Sequence, residues 1–313
     1  MKTLAHTLLK RPVWLYASVS ALAVVIMAAL SSLFAPQLQQ WEERLASRTW
    51  ALSDSSATER RVVVVDIDEK STQALGAWPW PRERMAQLLV GLDAYGVNLK
   101  VVDVLFDGEQ NPAQDAKLVE ALQANKAPTV ISQLFALSPD AQVKSGQLAS
   151  ASSMAATAIT TCPAASTQAF GFMAAAPAFA QSSQAVGHIT PIVDSDGSIR
   201  RVPAVVCYEG NAYPALAVAA LSAATGAQPV FKTASGLLQS GQVLDVGGIQ
   251  IPVDAKGQLR VSYQMPRAGF VSVSAVDVIQ GKVPAHMLKG AWALVGSTAF
   301  GGGDAVPTPQ GGA

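Results

Sequence analysis

Val62-Val63-Val64-Val65-Asp66-Ile67-Asp68-Glu69, then Trp78-Pro79-Trp80-Pro81-Arg82, then Val101-Val102-Asp103-Val104-Leu105-Phe106-Asp107: the reading of these three runs decides the fold. Four valines running into an Asp-x-Asp-Glu cluster describe a buried strand that surfaces at its carboxyl end. Pro81 suits the first position of a helix, where its missing N–H is no loss. Behind it Met85, Leu88, Leu89, Leu92 and Tyr95 recur at helical spacing, and Gly96 stands as the C-terminal stop. Val101 to Phe106 form the second buried strand. A strand, a helix and a parallel return strand joined by a right-handed crossover make one β-α-β unit.

Working outward, Asp115 to Leu122 predicts a second helix and Thr129 to Phe135 a third apolar strand. Together they predict an open, mostly parallel, doubly wound α/β sheet. Residues 138 to 184 are rich in Ala, Ser, Thr and Gln and read as a long insertion with short helices over the sheet. Two look-alike segments follow, Val193-Asp194-Ser195-Asp196-Gly197-Ser198-Ile199-Arg200 and Val253-Asp254-Ala255-Lys256-Gly257-Gln258-Leu259-Arg260. Each places an Asp three residues before a Gly and then alternates, as a tight turn between antiparallel strands does. A helix near Tyr213 to Thr225 lies between them. A shorter helix near Ser274 to Gln280 leads to a last buried strand, Trp292 to Ser297, and to the bend Gly301-Gly302-Gly303-Asp304.

The N-terminus adds a different feature. Val13 to Phe34 carries no charge, with Lys2, Lys10 and Arg11 before it and Glu42, Glu43 and Arg44 after it. A helix of that length matches a hydrocarbon core of about 30 Å. The basic N-terminal flank places residues 1–12 in the cytoplasm and the main domain, residues 60–313, outside. A cleaved signal peptide is the alternative, but its apolar core should run only about 7–15 residues. Over residues 37–52 the apolar positions Leu38, Trp41, Leu45 and Leu52 form a stripe, read as a juxtamembrane amphipathic helix. It either pairs with its twin in a homodimer or packs on its own domain.

Twenty-two basic residues balance twenty-two acidic ones, and only 14% of the 313 residues are charged. That scattering argues against a nucleic-acid surface. Cys162 and Cys207 both fall on the outer side, where an oxidising compartment allows a disulfide. Two unpaired thiols are the alternative.

The chemistry-bearing residues gather at the predicted carboxyl end of the sheet, where open α/β sheets bind ligands. Asp66, Asp68, Glu69 and Asp103 supply carboxylates there, with Asp103 ending the strand expected next to Asp66. They cap turns and pair with Arg82, hold a divalent cation through oxygen ligands, or contact an organic ligand, the structural role being favoured. Trp78, Trp80 and Arg82 make either a stacking platform for a planar or cationic ligand or a packed plug in which Arg82 bridges Asp66 or Asp103. Asp194-x-Asp196-Gly197 lacks the later acidic ligands of a calcium loop. Gly296-Ser297-Thr298-Ala299-Phe300-Gly301 lacks the Lys and Ser/Thr of a phosphate loop. With only His6, His188 and His286, and no nucleophile or zinc motif, no catalytic residue, metal site or cofactor is expected. His188, after Gly187, reads as a satisfied turn residue.

The run from Val62 to Phe106 resembles the opening of the type-2 CHASE domain, an extracytoplasmic sensory module of bacterial receptors. The resemblance rests on Ile67-Asp68-Glu69, Trp78-Pro79-Trp80-Pro81-Arg82 and Asp103-Val104-Leu105-Phe106, in that order. Val193–Val206, Asp254–Pro266 and Ala291–Pro309 also look like elements of that family, so the likeness covers roughly residues 40 to 309. It implies a sensor in the bacterial inner membrane that detects a small ligand. It further implies a cytoplasmic output domain, such as a nucleotide cyclase or kinase, which these residues do not contain, so the chain reads as a fragment or a truncated gene. A membrane-anchored periplasmic scaffold that senses nothing is the rival reading; an anchored enzyme is the third.

Overall fold

The computed structural model describes residues 2–34 (side chains from 16 onward), 58–124, 126–149, 162–163, 166–233 and 242–299. The chain divides into two compact units, Met1–Asp54 and Ser55–Ala313. In the first, helix α1 spans Lys2–Leu33 and so begins well before the uncharged stretch Val13–Phe34. Its stretch Tyr16–Leu33 is long and apolar enough to cross a membrane, with a mean hydropathy of 1.9. The expected amphipathic helix over residues 37–52, and with it the dimer contact, lies outside the described residues, as does the bend at 301–304.

The second unit is built on six parallel strands. They are β1 (Glu59–Ile67), β2 (Leu99–Val102), β3 (Thr129–Ala136), β4 (Ala185–His188), β5 (Phe270–Ser274) and β6 (Trp292–Ser297). Their order across the sheet is β5-β1-β6-β2-β3-β4, every pair parallel. Contrary to the expectation from sequence, β6 separates β1 from β2, so Asp103 does not end the strand beside Asp66. Two short segments, Gly171–Met173 and Lys144–Ser145, extend the sheet beyond the far end of β3.

Helices α2 (Glu69–Leu75) and α3 (Arg82–Tyr95) join β1 to β2, α4 (Pro112–Gln123) joins β2 to β3, and α5 (Pro177–Ser182) precedes β4. Helix α3 buries Met85, Leu88, Leu89 and Leu92 and ends at Gly96, whose φ of 72° is the left-handed cap that glycine adopts without strain. Helix α6 (Leu216–Thr225) follows β4 in the chain, and α7 (Ala275–Ile279) and α8 (Ala285–Leu288) connect β5 to β6. The sequence leads one to expect a helix near Tyr213 to Thr225. Instead Asn211–Pro214 is a strand paired with Val205–Tyr208, since Tyr213 packs on Phe135 and leaves the helix to start after it.

The two faces of the sheet differ. Lys100 of β2 shares a row with Ala293 of β6 and Val63 of β1, and its ammonium meets Asp93 of α3 at 2.7 Å with both side chains buried. The row therefore lies on the α3 side. Ser132 and Gly187 occupy the opposite side, where α6 packs so closely that a Cβ on Gly187 would stand 2.5 Å from the Leu216 Cα.

The two look-alike segments fold alike at the turn. Asp194 and Asp254 each bond to the residue four positions on, and Gly197 and Gly257 each bond back to their aspartate. They differ in pairing: Ile199–Pro203 closes back on Ile192–Val193, whereas Gln258–Arg260 pairs antiparallel with residues 201–203 of the first segment. The two repeats therefore share one small sheet. Cys162 and Cys207 are joined in a disulfide, their Cα atoms 5.8 Å apart.

Candidate functional site

At the carboxyl edge of the sheet each acidic residue of the Asp66-Ile-Asp68 pair has its own task. Asp66, half-buried, accepts from the Thr298 amide at 3.1 Å and from the Thr298 hydroxyl at 2.7 and 2.8 Å. The Gly296-Ser297-Thr298 turn is thus the partner of a protein carboxylate and ties β6 to β1. Asp68 caps α2, accepting from the amide and hydroxyl of Ser71 at 2.8 and 2.6 Å and from Ser274 at 2.8 Å. Burial pushes the Asp68 carboxyl up, but the Ser71 and Ser274 hydrogen bonds outweigh it and hold it below its ordinary value. Ser71, fully buried, also accepts from the Val276 amide, which links the first strand-to-helix turn to the start of α7. Glu69 is exposed at the first turn of α2.

The tryptophan-proline turn is a plug. Trp80 is buried, donates its indole N–H to the Gly76 carbonyl at 2.9 Å, and meets the half-buried Trp78 edge-on, centroids 6.0 Å apart. Trp78-Pro79 is a cis peptide bond. Arg82 is buried, 4% exposed, with its guanidinium 5.0 Å from the centroid of Phe106 and 5.5 Å from that of Phe179. It donates to the Asp107 carbonyl at 3.1 Å. Burial lowers its pKa, while the charges of Asp115 and Asp107 support the cation. Arg82 therefore answers Asp107 and Asp115, at the end of β2 and the start of α4, rather than Asp66 or Asp103. Asp103 is exposed beyond the end of β2, where its amide donates to the Val295 carbonyl at 2.8 Å. The residues expected in one cluster thus have four different sets of partners along the edge.

A further group escaped the sequence reading. His188 ends β4 beside Gln133 of β3, each only 1% exposed. The imidazole Nδ1 accepts from the Thr190 amide at 3.3 Å. Burial drives the His188 pKa down to about 3, opposed by the nearby Pro203 carbonyl, so the ring is neutral. With Nδ1 held by Thr190, the ring N–H is left to the Pro203 carbonyl, while Gln133 Oε1 is buried without a hydrogen-bond partner among the described residues. Phe135 lies edge-on to His188 at 6.1 Å and packs on Tyr213 at 5.0 Å and Tyr208 at 6.3 Å. Thr190 holds the Phe135 amide at 2.7 Å. His188 is thus a buried residue at the end of a strand rather than a turn residue. The polar pair Ser132-Gln133 inside the apolar run from Thr129 to Phe135 is a local sign of a polar residue in a buried strand, but no local pattern tells where its partner is.

In the hairpin module, the guanidinium of Arg200 bonds Asp194 at 3.0 Å and both oxygens of Asp196 at 2.9 Å, and Arg201 meets Asp194 at 2.6 Å. The Asp-x-Asp-Gly turn is filled by the chain's own arginines.

A parallel α/β domain with polar turns along its carboxyl edge, in a chain that also carries a helix able to cross a membrane, is the class of protein these features define. The chain belongs to the CHASE2 domain family, whose model matches residues 20–311. That family is one of sensory extracellular domains. No curated protein and no solved structure gives a significant match to the chain.

Proposed function

We propose that this chain is the sensory part of a bacterial inner-membrane receptor, with residues 1–12 in the cytoplasm, α1 across the bilayer and residues 60–313 in the periplasm. The observation that carries the reading is the family match over residues 20–311, which starts within the apolar stretch Tyr16–Leu33. The basic flank Lys2, Lys10 and Arg11 supports the orientation. A ligand acts by its differential affinity for two arrangements of the domain. Residues 37–52 carry the difference to the membrane, and a homodimer through that segment pairs two output domains, a nucleotide cyclase or a kinase. The gene sequence downstream of the Ala313 codon tests this reading. Apolar spans followed by a cyclase or kinase motif are expected. A reading frame that closes without them would make a periplasmic scaffold the better account.

A further inference from the structure

The net charge of zero hides a segregation. Over much of the α/β unit, exposed cations are matched to carboxylates: Lys70 to Asp277, Lys117 to Glu83, Lys144 to Glu209 and Lys232 to Asp245. The amino edge of the sheet is different. Arg267 stands just before β5, Arg60 opens β1, Lys289 stands just before β6 and Lys126 just before β3. In the order β5-β1-β6-β2-β3, four of five consecutive strands therefore begin beside a basic residue. Lys282 lies at the same edge, next to Val283, whose amide donates to the hydroxyl of Tyr95 at the end of α3. All five residues are exposed, and none of their charges meets a carboxylate among the described residues. Away from this edge Lys256 and the half-buried Arg84 also lack such a partner, each on a different element. The carboxylates of the edge are already taken, Glu59 by Arg61 and Asp93 by Lys100. Glu120, one turn from the end of α4, subtracts at most one charge.

We propose that this amino edge docks on an anionic lipid surface. Neighbouring strands lie about 4.8 Å apart, so Arg267, Arg60, Lys289 and Lys126 form a row about 20 Å long on one rim. Such a row is longer than a small anion and suits a layer of headgroups. Lipid is the polyanion at hand, because the same chain carries a helix apolar enough to cross a membrane. A domain anchored in that membrane meets the headgroups at high effective concentration, so contacts too weak to hold a free protein suffice. Each Lys or Arg near an anionic lipid surface strengthens association about fivefold. The same docking turns the carboxyl edge, with Asp103, Asp107 and Glu109 exposed, away from the bilayer and towards arriving ligand. The proposal goes beyond the sensor reading and requires only a membrane-anchored domain.

The full chain in phosphatidylcholine nanodiscs, with and without phosphatidylglycerol, tests the assignment. A fluorophore is attached at Ala268→Cys, beside Arg267, or at Gln110→Cys on the carboxyl edge, and is read by quenching from nitroxide-labelled headgroups. Both native cysteines are held in their disulfide, so each variant offers one free thiol. The label at position 268 is expected to be quenched in the phosphatidylglycerol discs and not in pure phosphatidylcholine. That quenching should vanish in about 1 M salt, where the Debye length is about 3 Å, and the label at position 110 should stay bright throughout. Replacing Lys126, Arg267 and Lys289 together by Gln should lower the docked-to-free ratio by at least about tenfold and leave the melting temperature unchanged. Should the triple variant fold poorly, the lipid and salt series on the parent residues decides alone. Equal quenching at position 268 in both lipids, quenching that survives high salt, stronger quenching at position 110, or a folded triple variant that docks as before would overturn the proposal. Each of these results leaves the sensor reading standing, since that is judged by the gene sequence downstream of Ala313.

Discussion

Asp68, Arg82 and His188 show how strongly single side chains are held at the carboxyl edge. Replacing Asp68 with Ala removes a helix N-cap that also holds Ser71 and Ser274, and is expected to cost about 1–2 kcal/mol in urea denaturation. Because the folded carboxyl lies below its ordinary value, that contribution is full above about pH 4 and is lost as pH falls through the lowered pKa. His188 has the same sign from a different cause. Its pKa falls from the usual range near 6.5 to about 3, so its contribution is complete above about pH 6.5 and declines as acid is added below that. A urea midpoint that drops between pH 7 and pH 5 in the parent, and drops less in His188→Phe, is the expected result; identical slopes would remove His188 as the cause. Arg82→Ala removes a buried guanidinium that bonds the Asp107 carbonyl and packs on Phe106 and Phe179, and is expected to cost about 1–3 kcal/mol. These partners were hidden from sequence reading. That Asp66, Asp68 and Arg82 sit near strand and helix ends follows from local pattern, but which carboxylate meets the guanidinium depends on how two crossovers pack.

At the scale of elements, the sheet forbids bulk at one position. Gly187→Ala would drive its new methyl into the Leu216 backbone, and overpacking of this kind costs about 1–3 kcal/mol. Thermal denaturation of this variant beside Gly210→Ala, where a Cβ meets nothing within 4 Å though φ is 80°, separates collision with α6 from backbone strain. The Cys162–Cys207 disulfide closes a separation of 45 residues, and its loss is expected to cost about 2–4 kcal/mol. Non-reducing electrophoresis with thiol labelling of exported protein should find both cysteines blocked. The unit β1-α3-β2 was legible because a valine run and a 3.6-residue period are local signals. The place of β6 between β1 and β2 was not, because Val62–Ile67 pairs with Trp292–Ser297 across most of the chain. The same limit explains the helix expected from Tyr213: its apolar run has no period that separates a strand from the first turn of α6.

For the molecule as a whole, the family assignment and the apolar helix α1 make orientation the deciding property. The family is one of sensory extracellular domains, and the proposed topology, with Ser55–Ala313 outside, rests on the basic flank Lys2, Lys10 and Arg11. The tests at residue and element scale probe how the domain is held together; only its compartment decides whether it senses anything outside the cell. The most direct measurement fuses a pair of reporters after Thr58, one active only in the periplasm and one only in the cytoplasm, and reads both in intact cells. The account predicts that the periplasmic reporter is active and the cytoplasmic one silent. The reverse result would contradict it.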